Sequence, residues 1–334
     1  MKDVVRVGVI GLGWFGEMHA AAYKHVYNAE LAALCTRRPE RLAEMAGKYG
    51  VDKTYQDYHD LLADPDIDAV SICTHAKDHL APMLDAIKSG KHVLLEKPMS
   101  TSLEECDKIL AAAEGAKQNL MIGHICRFEN DYAIARDEIL SGRIGDIVSM
   151  YSRRNVGGSR AFSHLQVVSS ISGDAVHDVD IMNWFVGRKA LSVYGMASFT
   201  RQDIANADIG WVNIKYDGGA LAVAESCWNL PDGSPLPIDA KMEVVGTKGV
   251  IYLFDPSYPL VIDDSKGREL KETVYWPTVH GKISGALNRE LQYFIDCITS
   301  GKKPEIVTLQ DARNVIEICS AAEASAKSGQ AVFL

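Results

Sequence analysis

The chain has 334 residues, a length that suits about two ordinary domains. Asp and Glu outnumber Lys and Arg by 44 to 35, and the resulting net charge of −9 argues against nucleic acid as a main partner. No apolar run approaches the roughly 18 residues that a membrane-spanning helix needs. The seven cysteines include no Cys-x-x-Cys pair, so we expect a reduced, cytoplasmic protein that binds neither nucleic acid nor membrane.

The first part of the chain alternates between predicted strands and helices. A β-branched run over residues 4–10 leads through the glycine-rich sequence GLGWFG into a helix-prone stretch. Apolar runs that end at Cys35, Thr74 and Glu96 predict further strands, and helical patterns separate them. This alternation predicts an α/β N-terminal Rossmann domain over residues 1–123, built on a doubly wound parallel sheet.

Beyond residue 123, strand follows strand. Six strand-like runs occur with little helix between them, at residues 146–155, 190–200, 208–216, 219–228, 241–246 and 249–254. Two helical patterns close the chain, and Thr308 and Asp311 open the last one. We therefore predict an α+β C-terminal domain over residues 124–334 with a large, mostly antiparallel open sheet, which binds substrate and mediates oligomerisation.

The glycine-rich sequence lies at the turn from the first strand to the first helix. The first glycine permits the tight turn, the second lets the backbone approach a pyrophosphate, and the third allows helix and strand to pack closely. The helix N-terminus then presents N–H groups to the anion. The candidate cofactor-binding residues of this turn are Gly11, Leu12, Gly13, Trp14, Phe15 and Gly16. The rings of Trp14 and Phe15 either border the nicotinamide or pack the helix against the sheet.

The end of the second strand indicates which dinucleotide is bound. An acidic residue there would accept hydrogen bonds from the ribose 2′-hydroxyl of NAD, but this sequence has Thr36, Arg37 and Arg38. Two guanidinium groups suit the 2′-phosphate of NADP, because arginine binds phosphate bidentately. We therefore expect NADP to be preferred, with NAD possible; the alternative is that both arginines are solvated charges beside Glu40.

Glu96 and Lys97 end the strand that begins near His92. Open α/β sheets bind ligands at the carboxyl ends of their strands, so charged residues that end a buried strand are active-site candidates. The alternative is a salt-bridged surface turn.

Six segments together resemble the Gfo/Idh/MocA family of dehydrogenases, named after glucose–fructose oxidoreductase, inositol dehydrogenase and rhizopine catabolism. They are VGVIGLGWFG near the start, DAVSICTHAKDH at 68–79, GKHVLLEKP at 90–98, GHICRF at 123–128, HDVDIMNWFVG at 177–187 and ASAKSGQAV at 324–332. The most specific element is the glycine turn followed about 80 residues later by Glu-Lys-Pro. The resemblance implies hydride transfer between a nicotinamide cofactor and a carbinol of a sugar, inositol, related polyol or sugar acid.

The resemblance also assigns catalytic residues. Lys97 matches the family's active-site lysine, and His177 matches the histidine of its second motif. Since a hydroxyl must lose its proton as hydride leaves, we assign His177 as general acid/base and Lys97 as the cation that stabilises developing alkoxide. The two roles are interchangeable if Lys97 is desolvated.

The chain departs from the family one turn before the histidine. Many members have an aspartate four residues before it, where this chain has Gly173, with Asp174 three before. Residues three and four apart share a helix face, so Asp174 is a candidate to bind substrate or orient His177. Its alternative role is N-cap of a helix predicted over residues 175–186.

Further cofactor candidates follow the strand that ends at Thr74. Thr74, His75 and His79 lie where the family contacts the cofactor, although a solvated helix position is the alternative for His79.

Two arginines and two acids are weighed as substrate-site residues. Arg127 and Arg154 are candidate substrate ligands, because arginines near a polyol pocket favour a carboxylate or phosphate on the substrate; the alternative is surface ion pairing. Of the acids beside His177, Asp180 is expected to face the pocket and Asp178 to be exposed.

No spacing of His and Cys residues is typical of a metal site, so no metal is predicted. Two other functions stay open. One is a glycoside hydrolase that keeps NAD bound and drives elimination by transient oxidation, as some family relatives do. The other is a non-catalytic NADP sensor, against which Lys97 and His177 argue. We expect a homo-dimer or homo-tetramer, since the large sheet can pack on a copy of itself and the family commonly oligomerises.

Overall fold

A computed structural model of the chain describes residues 4–201, 204–231, 234, 238–254, 260–265 and 267–334. The chain forms two compact units, Met1–Phe128 with Tyr275–Ala312, and Glu129–Val274 with Arg313–Leu334. The predicted boundary between residues 123 and 124 lies near the end of the first stretch. The return of Tyr275–Ala312 to the first unit is a feature that the sequence analysis did not predict.

The first unit is built on a six-stranded parallel sheet. Its strands are β1 (Val5–Ile10), β2 (Ala29–Cys35), β3 (Lys53–Tyr55), β4 (Ala69–Ile72), β5 (His92–Glu96) and β6 (Leu120–Gly123). They lie in the order β3-β2-β1-β4-β5-β6, which is the order of dinucleotide-binding sheets. Every residue of β4 is buried, as expected for an inner strand of a parallel sheet with both faces covered.

Ten α-helices are present in the described residues. They are α1 (Trp14–Tyr23), α2 (Pro39–Tyr49), α3 (Tyr58–Ala63), α4 (Leu80–Lys88), α5 (Leu103–Ala113), α6 (Asn130–Leu140), α7 (Gly158–Leu165), α8 (Val176–Val186), α9 (Gly285–Ser300) and α10 (Leu309–Ser328). None of them is long and apolar enough to span a membrane.

Local sequence signals explain where several helices begin and end. Ser102 caps α5 by accepting a hydrogen bond from the backbone N–H of Glu105. Thr308 and Asp311 form a reciprocal capping box at the start of α10, in which the N–H of each residue donates to the side chain of the other. The helix α2 has Pro39 in its first turn and ends at Gly50, whose φ of 63° is left-handed.

The second unit contains a seven-stranded mixed sheet. Its strands are β7 (Ile147–Gly157), β8 (Ala190–Ser198), β9 (Ile209–Tyr216), β10 (Leu221–Leu230), β11 (Ile238–Gly246), β12 (Val250–Leu253) and β17 (Val332–Phe333). Their order is β12-β11-β7-β10-β9-β8-β17, and every neighbouring pair is antiparallel except β7 with β10. The predicted fold class is confirmed.

Short hairpins complete the described strands. They are β13 (Leu260–Asp264) with β14 (Gly267–Lys271), and β15 (Thr278–Val279) with β16 (Lys282–Ile283). A π-helical turn at Ile171–Ala175 leads directly into α8, and a 3₁₀ turn at Ala76–Asp78 precedes α4.

Candidate active site

The glycine turn follows β1, and backbone hydrogen bonds fix it between the ends of two other strands. The N–H of Gly11 donates to the carbonyl of Cys35 at 2.9 Å, and the N–H of Cys73 donates to the carbonyl of Ile10 at 2.8 Å. The helix α1 begins directly after the turn, and its N-cap, Gly13, supplies no side chain to its first N–H groups. The turn therefore presents a helix N-terminus at the carboxyl edge of the sheet.

Each glycine of the turn has a distinct steric role. A Cβ at Gly11, whose φ is +93°, would lie 2.8 Å from the backbone of Cys73. A Cβ at Gly16 would lie 1.9 Å from the carbonyl oxygen of Gly11, whereas no atom of the described residues lies within 4 Å of one at Gly13. The first and third glycines are thus required by packing, and the second leaves the backbone open to an approaching group. These residues fit a dinucleotide pyrophosphate.

The two aromatic residues of the turn form a cluster with a residue from the returning segment. The Trp14 ring is 57% exposed and lies edge-on to the Trp276 ring, with the centroids 5.3 Å apart. The Phe15 ring contacts Trp276 and His19 in the same manner, at 5.7 and 5.0 Å. The alternative that the Trp14 ring packs the helix against the sheet is therefore wrong, because the ring is exposed. Trp276 was missed because it is more than 250 residues away in sequence.

The end of β2 lies beside the glycine turn. Thr36 is buried, and its N–H donates to the carbonyl of Tyr55, while Arg37 and Arg38 are exposed. Arg38 donates from Nη2 to the carbonyl of Leu12 at 2.8 Å, and Arg41 donates from Nε to the same oxygen at 3.2 Å. The structure thus brings Arg38 to the turn, and it adds Arg41, which the sequence analysis did not single out.

His79 connects the segment after β4 to the turn after β5 through hydrogen bonds of its imidazole. This side chain is only 1% exposed, with Nδ1 2.9 Å from the carbonyl oxygen of Pro98 and Nε2 3.1 Å from that of Thr74. The solvated alternative for His79 is therefore wrong. Burial lowers the pKa of His79, and hydrogen bonds to the two carbonyl groups oppose that effect. His75, by contrast, is exposed.

Glu96 lies under the backbone of Lys97. It is 5% exposed; Oε1 lies 2.9 Å from Nε2 of His19, and Oε2 accepts a hydrogen bond from the N–H of Lys97 at 3.2 Å. A Cβ at Gly123 would lie 2.7 Å from Oε1, so glycine on β6 makes room for this carboxylate. A surface salt-bridged turn is therefore wrong for Glu96. The side chain of Lys97 is half-buried, and the Lys97–Pro98 peptide is cis.

A second buried acid lies near Glu96. Glu290 on α9 is 0% exposed, and neither carboxylate oxygen has a hydrogen-bond partner in the described part of the chain. Burial and the proximity of Glu96 raise the pKa of Glu290 well above its usual range. Neither His19 nor Glu290 was predicted as a site residue. The signal available for Glu290 was a charged residue beside Leu287 and Leu291 on an apolar helix face.

In the second unit, His177 is 8% exposed on α8, directly after the π-helical turn. Asp174 lies within that turn and is half-buried, and its Oδ2 accepts a hydrogen bond from Nε1 of Trp228 at 2.7 Å. The N-cap role is wrong for Asp174, because helical turns begin at Ile171 and the residue preceding α8 is Ala175.

The acids that follow His177 are both fully buried. Asp178 is 0% exposed and accepts a hydrogen bond from Nε of Arg154 at 2.8 Å. The predicted exposure of Asp178 is therefore wrong, because α8 is buried around most of its circumference rather than along one stripe. Burial raises the pKa of Asp178, and Arg154 opposes this effect. Asp180 is also 0% exposed.

Arg127 belongs to the first unit and is 3% exposed. It donates from Nη1 to the carbonyl of Ile306 at 2.6 Å and to Asp311 at 3.1 Å. Arg154 thus forms a buried ion pair with Asp178, and the buried guanidinium of Arg127 pairs with the partly exposed Asp311, so neither arginine is the surface charge of the alternative interpretation. Their assignment to substrate stays a prediction.

Comparison with known families agrees with this geometry. A model described as an oxidoreductase family with an NAD-binding Rossmann fold matches residues 5–124, and a Gfo/Idh/MocA C-terminal domain model matches residues 132–252. The chain belongs to the Gfo/Idh/MocA family. It is therefore an oxidoreductase with an NAD-binding Rossmann fold, as the sequence resemblance implied.

Relatives and solved structures match over nearly the whole length. The scyllo-inositol 2-dehydrogenase (NAD(+)) of Bacillus subtilis is 30% identical over 100% of this chain and 97% of its own, and the myo-inositol 2-dehydrogenase of Thermotoga maritima is 28% identical over 99% and 98%. A probable dehydrogenase structure from Thermotoga maritima has a TM-score of 0.85 at 27% identity, covering 98% of each chain. A Lactobacillus casei scyllo-inositol dehydrogenase, solved with NAD(H) and scyllo-inositol, has a TM-score of 0.84 at 20% identity over 99% of each chain, which shows the common fold.

Proposed function

We propose that this oxidoreductase is an inositol dehydrogenase, which transfers a hydride between a nicotinamide cofactor and a ring carbinol. The observation that carries the proposal is the position of Lys97, at the carboxyl end of β5 in the same unit as a glycine turn that fits a dinucleotide. Two inositol 2-dehydrogenases that match this chain nearly end to end support the choice of substrate.

The chemistry divides among three side chains. A bound nicotinamide supplies the ring carbon that accepts hydride. His177 takes the hydroxyl proton as general base, and the Lys97 ammonium hydrogen-bonds the same oxygen and stabilises the alkoxide that develops. Asp174 accepts a hydrogen bond from a neighbouring substrate hydroxyl, since a carboxylate is an acceptor-only group.

A neutral polyol is favoured over a sugar acid. The guanidinium groups of Arg127 and Arg154 each hold a protein carboxylate, on Asp311 and Asp178. Both guanidinium groups are buried, and breaking either pair would remove the carboxylate that compensates a buried charge. Neither group is therefore suited to exchange its carboxylate for that of a substrate.

We further propose that NADP is preferred over NAD. The end of β2 carries no acid to accept bonds from a 2′-hydroxyl, and the exposed Arg37 guanidinium suits a 2′-phosphate. The Bacillus subtilis relative is named as an NAD(+) enzyme, so binding of NADP and NAD by this protein must be compared directly.

The seven free thiols suit a reducing cytoplasm, and cell fractionation tests that location.

The deciding experiment follows absorbance of the reduced nicotinamide while the protein is mixed with NADP or NAD and with myo-inositol, scyllo-inositol, free sugars or sugar acids. A rise with an inositol supports the proposal, and a rise only with another sugar or sugar acid contradicts the choice of substrate. If the protein binds cofactor but the absorbance rises with none of these substrates, the assignment as a dehydrogenase is contradicted. Release of aglycone from a glycoside by protein with tightly held NAD would then identify the redox-neutral hydrolase.

A further inference from the structure

Gly173 lies against a tryptophan ring that occupies the space of any side chain there. A Cβ on this residue would lie 2.2 Å from Cη2 and 2.4 Å from Cζ2 of Trp228. Distances this short require the ring to move, because real Cβ atoms do not approach a neighbour so closely. Glycine at position 173 and tryptophan at position 228 are therefore sterically matched.

The ring of Trp228 is held on several sides. It is 2% exposed within an apolar cluster of Val156, Ala161, Leu165 and Ile204. Its own backbone N–H donates to the carbonyl of Asp208 at 2.7 Å, which fixes this end of β10. Close packing of this kind resists displacement, so a side chain added at position 173 would disturb the indole rather than fit beside it.

The same indole fixes an acid beside His177. Its Nε1 donates to Oδ2 of Asp174 at 2.7 Å. Gly173 and Asp174 lie in the π-helical turn, four and three residues before His177, which is the second residue of α8. The position of the Asp174 carboxylate near His177 therefore depends on a ring that comes from a different element, β10.

We propose that Trp228 is a positioning residue that holds the Asp174 carboxylate for a substrate hydroxyl, and that Gly173 is required because the indole occupies its side-chain space. The inference rests on the proposed function, in which Asp174 contacts the substrate. Residues 173 and 228 are then a matched pair. The glycine leaves room for the indole, and the indole sets the position of the Asp174 carboxylate and hence which hydroxyl is recognised.

The first test is a double-mutant cycle between Trp228→Phe and Asp174→Ala, measured with whichever of myo- and scyllo-inositol is turned over. Trp228→Phe keeps an aromatic ring but removes the N–H donor. We expect it to raise the KM for the inositol about tenfold, with kcat changed much less and the Kd for the reduced cofactor unchanged. In the Asp174→Ala background the same substitution has less than about a twofold effect on kcat/KM, since the two residues act as one unit.

The second test uses the steric match. Gly173→Ala forces the indole away and is expected to raise the KM for the inositol as Trp228→Phe does. The smaller ring of phenylalanine does not reach the position of Cη2, so Gly173→Ala adds little further loss when combined with Trp228→Phe. Trp184→Phe, which removes an indole N–H from the same helix as His177, serves as the matched control and leaves KM unchanged.

The outcomes separate this inference from the proposed function. Equal losses from Trp228→Phe with and without Asp174, or a lower melting temperature with unchanged KM, would overturn the positioning role while the enzyme remains a dehydrogenase. Wild-type kcat/KM in Asp174→Ala would overturn the role of Asp174 itself. Failure of the wild-type protein to oxidise any inositol would remove the proposed function instead.

Discussion

At the residue scale, the first unit buries two neighbouring carboxyl groups, Glu96 at the end of β5 and Glu290 on α9. Glu96 is compensated by His19 and by the N–H of Lys97. Glu290 has no hydrogen-bond partner among the described residues, and an ionised carboxylate without partners is very unfavourable in a buried position. Burial and the proximity of Glu96 therefore favour the protonated form of Glu290. Perturbed acids of this kind cluster at functional sites, where stability is traded for function.

The raised pKa of Glu290 predicts how the free energy of unfolding changes with pH. The folded-state pKa of Glu290 is raised above the unfolded value, so its contribution to the free energy of unfolding is fully present below the unfolded pKa and is lost as pH rises towards the folded pKa. Glu290→Gln cannot ionise. We expect its advantage over wild type to grow by up to about 1.4 kcal/mol per pH unit above pH 5, measured by denaturant unfolding between pH 5 and 8.

Glu104→Gln is the matched control, and we expect its effect on stability to depend on pH in the opposite direction. Glu104 is exposed, and its hydrogen bond with Lys108 lowers its pKa, so Glu104→Gln gives a small loss of stability that is present at neutral pH and vanishes as the pH falls. An advantage of Glu290→Gln that stays constant across the pH range would show that Glu290 is not protonated in the folded protein.

The proposed NADP preference depends on Arg37, which we expect to bind the 2′-phosphate. Arg37→Glu replaces a phosphate ligand by a carboxylate that repels the 2′-phosphate. We expect binding of NADPH to weaken far more than binding of NADH, as measured by the fluorescence of the reduced nicotinamide on titration. Arg143→Glu, an exposed arginine of the second unit, should change neither affinity. Equal losses of NADPH and NADH binding in Arg37→Glu would remove the case for NADP.

At the element scale, the sequence predicted those parts of the fold whose signals are local. The glycine turn, the strands around it, the N-cap of α5 and the capping box of α10 are set by neighbouring residues. The three-residue strand β3 and the short helix α3 were missed, because side-chain contacts hold them rather than a long apolar pattern. Lys53 and Tyr55, for example, both bind Asp64 beyond α3.

The candidate site was predictable to a similar extent. Lys97 and Glu96 could be placed because they end a predicted strand, and the structure confirms that position. The contacts of Asp174 and Asp178 could not be predicted, since their partners, Trp228 and Arg154, come from other strands. A π-helical turn before α8 also has no signature in periodicity, because its hydrogen bonds add one residue to the turn.

The helix α8 is where the catalytic assignment can be tested without loss of the fold. His177→Ala removes one side chain from a helix whose other residues, including Val179 and Met182, keep it buried. We expect kcat for the inositol to fall about 100-fold or more, with the affinity for reduced cofactor unchanged, because the general base is lost while the glycine turn is untouched. Steady-state kinetics and cofactor titration measure both quantities. Turnover near wild type would remove His177 from the mechanism.

At the scale of the whole molecule, one face of the large sheet carries exposed aromatic and apolar side chains. Neighbouring strands place Tyr151, Tyr194, Met196, Trp211 and Leu221 in adjoining rows, each more than a third exposed. Charged residues such as Glu225 and Arg153 lie among them in the same rows. An exposed sheet face that mixes aromatic and apolar side chains with charged ones is typical of a protein interface.

We therefore expect the protein to form a homo-oligomer through this face, with the two copies packed sheet against sheet. Trp211→Glu places a charge at its centre and, because burial of an unpaired charge is costly, should shift the mass measured by light scattering at micromolar concentration towards the monomer. Tyr27→Glu, at a 75% exposed residue of the first unit, should leave the mass unchanged. A wild-type mass equal to one chain would contradict the oligomer. A wild-type oligomer that Trp211→Glu does not weaken would instead place the interface on another surface.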